Sequence, residues 1–273
     1  MFENEVTIVI KTFNRKQSLI RLLKSIEKYY KKLNIIIADD SKKNYKKEIL
    51  ESFRTLKIEY HILPFDSGLS FGRNYLLNKV KTEYFILCDD DFEFFEKSRL
   101  EMVYGTIKKN NFDIIGGSYL NILEPNSLIN IIKILKRPKR ILNYIYKTGE
   151  IYSYNAKIKE INDKVYLIDR RDWFYEKINK IYLTDIVQNF FIGKTDKIKK
   201  MSGWFPEELK MGEHTIFFIR AKEQNLKTGW IEDFEIKHYP KQTLNYYKYR
   251  KRASSYFKLG CEKLGIKVKE INE

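Results

Sequence analysis

Two rhythms of apolar residues alternate through the first 120 positions. Short, nearly unbroken apolar runs, "VTIVI" (Val6–Ile10), "LNIIIADDS", "IEYHIL", "EYFILC" and "FDIIGG", have the length and β-branched content of buried strands. Between them the apolar residues recur at helical spacing. Leu19, Leu22, Leu23, Ile26 and Tyr30 mark one helix, with Asn14 as its N-cap. Leu76, Leu77 and Val80 mark a second after the loop "DSGLSFGRN", and Leu100, Val103 and Ile107 a third. A basic, polar helix is expected over Tyr45–Phe53. This alternation predicts an α/β fold: a mostly parallel central sheet flanked by helices on both faces.

The pattern changes after residue 120. Residues 121–182 are basic, tyrosine-rich and less regular, and "YNAKIKEINDKVYLIDR" reads as a hairpin turning at Asn162–Asp163. This stretch is expected to be an insertion on the acceptor side of one scaffold. Order returns over residues 183–240, where Phe217, Phe218 and Ala221 predict a helix just after Glu213–His214. A last helix, rich in Tyr, Lys and Arg, is expected from Thr243 to Glu273. The reading is one domain over 1–240, divided at 120 and 182, plus a basic C-terminal helical extension over 241–273.

Length and composition fit this picture. A chain of 273 residues can bury a substantial core in one large domain. The formal net charge of +16 favours anionic partners, although the abundance of Lys, Ile, Asn and Tyr also has the look of an AT-rich genome. Lys and Arg are spread along the chain without a nucleic-acid-binding motif, so no nucleic-acid partner is expected. Two cysteines, Cys88 and Cys261, without a paired pattern point to a reducing compartment. No apolar run approaches the roughly 20 residues of a membrane span, and the longest, Leu128–Lys136, is interrupted by Asn130 and Lys133. The expectation is a cytoplasmic protein, with the basic and aromatic C-terminal helix suited to the anionic inner face of a membrane or to a solvated, docked face.

Two strands run directly into acids: Asp39–Asp40 and the triplet Asp89, Asp90, Asp91. Ligands in open α/β sheets bind beyond the carboxyl ends of the strands, so both groups are expected on one rim. Three adjacent carboxylates repel one another unless a cation or ligand sits among them. Asp-x-Asp at a strand end suits a hard divalent cation such as Mn²⁺ or Mg²⁺, which bridges carboxylates to substrate phosphates. A solvated acidic loop or acids favouring a helix N-terminus would give the same triplet.

The stretches "VTIVIKTFNR", "IIIADDS", "GLSFGRN" and "YFILCDDD" occur in the order found in GT-A glycosyltransferases of the family 2 type, which the chain resembles. The block from "IVQNFFIGK" through "GWFPEELKMGEHTIFF" to "IKHYP" resembles the β-1,4-N-acetylgalactosaminyltransferase (ganglioside GM2 synthase) type. The likeness covers roughly residues 5–240. It implies a Rossmann-like nucleotide-binding GT-A fold and an inverting, metal-dependent sugar transfer. The donor would be a nucleotide sugar: UDP-GalNAc, UDP-Gal, UDP-GlcNAc or UDP-Glc. A glycan or lipid-linked glycan would be the acceptor, in a setting such as bacterial capsule or lipooligosaccharide synthesis.

Residue by residue, the resemblance puts Thr12 and Arg15 under the nucleotide and Asp40, beside Asp39, against the base. Arg73 approaches the diphosphate. Asp89, Asp90 and Asp91 form the acid motif, with Asp91 the direct metal ligand, Asp89 beside it and His238 completing the metal site. Trp204 falls at the acceptor lip. Glu213 is the preferred base for the acceptor hydroxyl and His214 its rival, because the commoner Glu-Asp pair is absent. A nucleotidyltransferase would need a glycine-rich phosphate loop after the first strand, and "KTFNRKQS" has no glycine there.

Overall fold

A computed structural model describes residues 2–122, 150–152, 155–171, 176–240, 249 and 251–271. The expected alternation is met. Strand β1 (Val6–Thr12) leads to helix α2 (Lys16–Tyr30), β2 (Asn34–Asp39), α3 (Lys46–Ser52) and β3 (Lys57–Ile62), after a short opening turn α1 (Phe2–Glu5). Then follow α4 (Leu69–Lys79), β4 (Tyr84–Asp89), β5 (Phe92–Glu93), α5 (Leu100–Asn110) and β6 (Ile114–Asn121). Strands β7 (Glu150–Tyr152) to β11 (Ile181–Leu183) are short, with β8 at Lys157–Asn162, β9 at Val165–Asp169 and β10 at Lys177–Ile178. The chain continues with β12 (Phe191–Lys194), α6 (Thr195–Lys200), α7 (His214–Glu223), β13 (Thr228–His238), α8 (Ala253–Leu264) and β14 (Lys267–Ile271).

The main sheet has the order β10-β11-β13-β6-β12-β4-β1-β2-β3, with β5 on β13 and β7 on β6. Strands β3, β2, β1 and β4 are parallel neighbours. Strand β12 is antiparallel to both β4 and β6, and β13 runs parallel to β6. Alternating side chains of the central strands feed two apolar layers. Val6, Ile8 and Ile10 pack with Leu19, Leu22, Leu23 and Ile26 of α2. Val9 packs on the other face with Leu76 and Leu77 of α4, where Ile198 and Phe217 join them. All are buried, and each such side chain taken out of water contributes about 1.5–3 kcal/mol.

Three local expectations are corrected. Asn14 does not cap α2; the cap position is Arg15. Asn14 has a φ of 54°, its N–H donates to Ser41 Oγ (2.7 Å) and its Oδ1 accepts from Lys42 N (3.1 Å), so it ties the β1 and β2 loops together. The triplet is followed first by β5, whose Phe92 pairs with His238 of β13, and only then by α5. The C-terminal stretch is not one helix. Among the described residues the helix spans Ala253–Leu264, and Gly265 (φ 64°) ends it in the left-handed conformation that glycine adopts without strain.

Beyond that glycine, β14 pairs in parallel with β9, which pairs with β8, in a separate three-stranded sheet. The expected hairpin is therefore present, turning at Asp163–Lys164, but the C-terminus completes its sheet. The basic outer residues of α8, Lys258 and Lys263, are exposed. Residues 241–248 and 250, Trp173 and the run Leu128–Lys136 lie outside the described residues. No helix among the described residues is long and apolar enough to cross a membrane.

Candidate active site

The carboxyl ends of β1, β2 and β4 and the far end of β13 converge on one rim, and each brings its acids or bases there for a local reason. Beyond β2, both Asp39 and Asp40 are buried. Asp39 accepts from Ser41 N (2.9 Å) and from the Tyr60 hydroxyl (2.7 Å). Asp40 accepts from Gly68 N (2.9 Å) and pairs with Lys11 Nζ. Gly68 holds this contact at a φ of 99°, and a Cβ there would come within 2.5 Å of Lys210 Cα. Burial pushes the Lys11 ammonium down and Asp40 opposes that shift. Lys11 is a functional neighbour that sequence reasoning missed, although a lysine inside the apolar run "VTIVIKT" was a visible signal.

The triplet divides into three environments. Thr12 Oγ1 donates to Asp90 (2.7 Å), and Arg15 bridges Asp90 (3.1 Å) and Asp91. Burial raises Asp90, opposed by Arg15 and reinforced by Asp91 beside it. Burial works to raise Asp91 too, but Arg15 and His238 outweigh it and hold that carboxyl well below the usual carboxylate range. Asp89, the most open of the three, receives Arg73 Nη2 at 2.9 Å.

Arg73 comes from α4, is 1% exposed, and gives its other terminal nitrogen to Glu213 at the start of α7. One buried guanidinium thus spans the acid motif and the candidate base. Its guanidinium carbon lies over the Trp204 ring, 5.7 Å from the centroid. Trp204 is not at an acceptor lip. It is 2% exposed and stacks on Phe217 at 4.6 Å and 16°, so it serves as core packing near Arg73.

His214, next to Glu213, has Nε2 at 2.7 Å from the Val187 carbonyl, so that nitrogen carries the proton. Burial, with Arg73 nearby, lowers its pKa from 6.5 to about 3. The unfolded chain takes a proton as pH falls through 6.5, and the folded imidazole refuses it until about 3. The stability this neutral histidine lends is therefore present above 6.5 and lost on the acid side. We expect the melting temperature of the wild type to fall more steeply from pH 7 to pH 4.5 than that of His214→Gln. Equal slopes in a pH-resolved thermal melt would show that His214 titrates normally.

The expected metal set of Asp89, Asp91 and His238 is not gathered as three: among the described residues no group of three or more His, Cys, Asp and Glu side chains could hold a metal ion. Asp89 is turned to Arg73, whereas His238 Nε2 stands 3.2 Å from Asp91 Oδ2. His238 Nδ1 lies 2.7 Å from Asn121 Oδ1 and Nε2 faces Asp91, so each ring nitrogen has an acceptor oxygen against it. Two acceptors in that position call for a second proton or a cation between them. A carboxylate plus an oriented imidazole fits a small divalent ion, which takes few protein ligands and completes its shell with waters and phosphate. Sequence reasoning missed Asn121; β5 pairing, which sets His238 beside the triplet, has no signal in residue type.

A cavity of about 370 Å³ opens onto Arg15, Arg73, Asp89, Asp91, Glu213 and His238. It brings two guanidinium groups and a set of carboxylates to one volume. Such a place can hold a charged leaving group and a carboxylate base at once.

Comparison with known proteins places the chain in a family. Residues 7–201 match Glycosyl transferase family 2. The chain is 30% identical over 218 residues to beta-1,4 N-acetylgalactosaminyltransferase 2 of Mus musculus, covering 79% of this chain and 36% of that protein. It therefore spans little more than a third of that relative. Among solved structures, S. aureus TarS 1–349 in complex with UDP aligns with a TM-score of 0.58 at 17% identity, over 91% of this chain and 64% of that one. GalNAc-T7 with UDP, GalNAc and Mn²⁺ aligns at 0.59 and 15%, over 87% and 43%. At those identities the structures speak for the fold, a GT-A fold, and the matched family spans well over half the chain: this protein belongs to glycosyl transferase family 2.

Proposed function

We propose that the chain transfers a sugar from a UDP-sugar to a hydroxyl of a glycan acceptor with inversion at the anomeric carbon. The observation that carries this is the linked trio Asp89–Arg73–Glu213 at the strand ends, where one buried cation serves both the leaving-group side and the base side of a single cavity. UDP in two fold neighbours supports the choice of nucleotide, and Mn²⁺ in one supports a divalent ion. Asp91 and His238 would hold that ion, with Asn121 fixing the imidazole. When bound, it supplies positive charge for the developing diphosphate.

Arg73 and Arg15 add positive charge from the protein. Glu213 takes the proton of the acceptor hydroxyl, opposite the leaving group. A β-linked product, as in the named relative, requires inversion from an α-linked UDP-sugar. The exposed lysines of α8 support a resting place on an anionic membrane surface.

The test is calorimetric titration of UDP with Mn²⁺ and with EDTA, on wild type and Asp91→Ala. We expect binding that needs the ion and weakens at least tenfold in the variant. Absence of UDP binding under both conditions in the wild type would overturn the reading.

A further inference from the structure

A second cavity, of about 640 Å³, adjoins the first and shares Tyr119, Asn189, His214 and His238 with it. That volume lies within the range of ligand sites, roughly 300–1,000 Å³. Its other wall comes from the C-terminal segment: Phe257 of α8 and Glu270 of β14. Neither lies within the residues matched by the family, 7–201. The segment is well anchored there. Gly260 packs against Ile216 and Leu209, and β14 is fixed in register on β9.

The two cavities differ in the charged groups they present. Lys11, Arg15 and Arg73 line the first, interleaved with Asp89, Asp90, Asp91 and Glu213. In a chain of net charge +16, no Lys or Arg is among the described residues lining the second. Among the described lining residues Asn189 brings an amide, Phe257 an aromatic ring, and Glu270 the single carboxylate. Arg170, 3.9 Å from Glu270, is paired with it and is not part of the lining. Amides and a carboxylate bind vicinal hydroxyls, and rings pack on the C–H faces of sugars. A carboxylate or phosphate on the ligand would meet the like charge of Glu270, with no Lys or Arg among the described lining residues to receive it.

We infer that this second cavity is the acceptor subsite and that it selects an uncharged terminal sugar, with Phe257 and Glu270 of the C-terminal segment setting that choice. The inference rests on the transferase reading above and names its acceptor class. It also brings two residues from beyond the family-matched part of the chain, Phe257 and Glu270, into acceptor choice.

The test is a glycan array probed with the whole protein in UDP and Mn²⁺, followed by kinetics on the bound glycans. Bound glycans are expected to end in neutral hexoses or N-acetylhexosamines. Glu270→Lys should raise the acceptor KM for these about tenfold and shift binding toward uronate-terminated or sialylated glycans. Calorimetry of UDP on the same variant separates the failures. Loss of UDP binding in the wild type overturns the transferase reading and this inference with it. Intact UDP binding with acidic termini dominating, with no glycan bound, or with an unchanged acceptor KM in the variant overturns this inference alone. Phe257→Ala provides a second variant, expected to raise the same KM, should Glu270→Lys not fold.

Discussion

Glu213→Gln is expected to lower kcat by about 10²–10⁴, the usual contribution of a positioned general base. Gln has the same shape and can still accept from Arg73 Nη1, so the ion pair becomes a hydrogen bond and the fold around α7 is kept. What is lost is the carboxylate proposed to receive the acceptor proton. Removing an interaction used only in the transition state lowers kcat and kcat/KM together and leaves donor affinity close to that of the wild type. His214→Gln provides the contrast. A pKa near 3 makes His214 a weak base, and its Nε2 is committed to Val187. We expect that variant to keep kcat within about tenfold of wild type, well short of the loss a missing base produces. Steady-state kinetics on both variants decide the matter: a dead His214→Gln beside an active Glu213→Gln would reverse the assignment.

Arg73→Met carries the largest expected loss of stability. The guanidinium is buried between Asp89 and Glu213, and Met fills the space without the charge. Glu213, with a side chain 4% exposed, is then left as a buried carboxylate without its cation. Breaking a buried pair by removing one partner costs about 3–5 kcal/mol. Asp89 is 29% exposed and regains water, so the lower end, about 3 kcal/mol, is the better expectation. For a chain of this size that is a fall in melting temperature of roughly 6–12 °C. Transfer activity should vanish with it, since both sides of the cavity lose the same cation. A melting temperature within 2 °C or so of wild type, where even 1 kcal/mol would move it, would show that the pair is not what holds α4 to α7. Arg73→Lys should fall between, because one ammonium cannot reach both carboxylates with a forked geometry.

Much of this site was legible in the chain because strand ends are legible. An apolar run that stops at an acid states where that acid sits once the sheet is parallel. Asp39, Asp40 and Asp89–Asp91 needed nothing more, and Glu213 followed from the helix that opens beside it. Trp204 was misread because a tryptophan between Gly203 and Pro206 looks like a turn residue; the ring contacts that bury it come from β12 and α7, far away in sequence. Asn14 was misread for the opposite reason. It has the chemistry of a cap, but a neighbouring loop offered its side chain a better partner. Lys11 could have been found, since a lysine inside a buried strand must have a carboxylate near it. The parallel pairing of β14 with β9 could not, because the alternation of Ile266, Lys267, Val268 and Lys269 marks a strand without saying which distant strand it joins.

The order of the main sheet bears on how such enzymes can be rebuilt. Strand β12, late in the chain, lies between β4 and β6 from its first half, and β6 lies between β12 and β13. The two halves of the sequence are therefore shuffled like cards rather than laid end to end. A chimera that took its later half from a relative would import the strand at the middle of its own core, where Phe191 must register with Leu87 and Gly116 at once. Swapping halves to change sugar preference would thus fail at folding before it could be judged on specificity. New preferences in this protein are better sought at α8 and β14, which pack on α7 and β9 without being threaded through the main sheet.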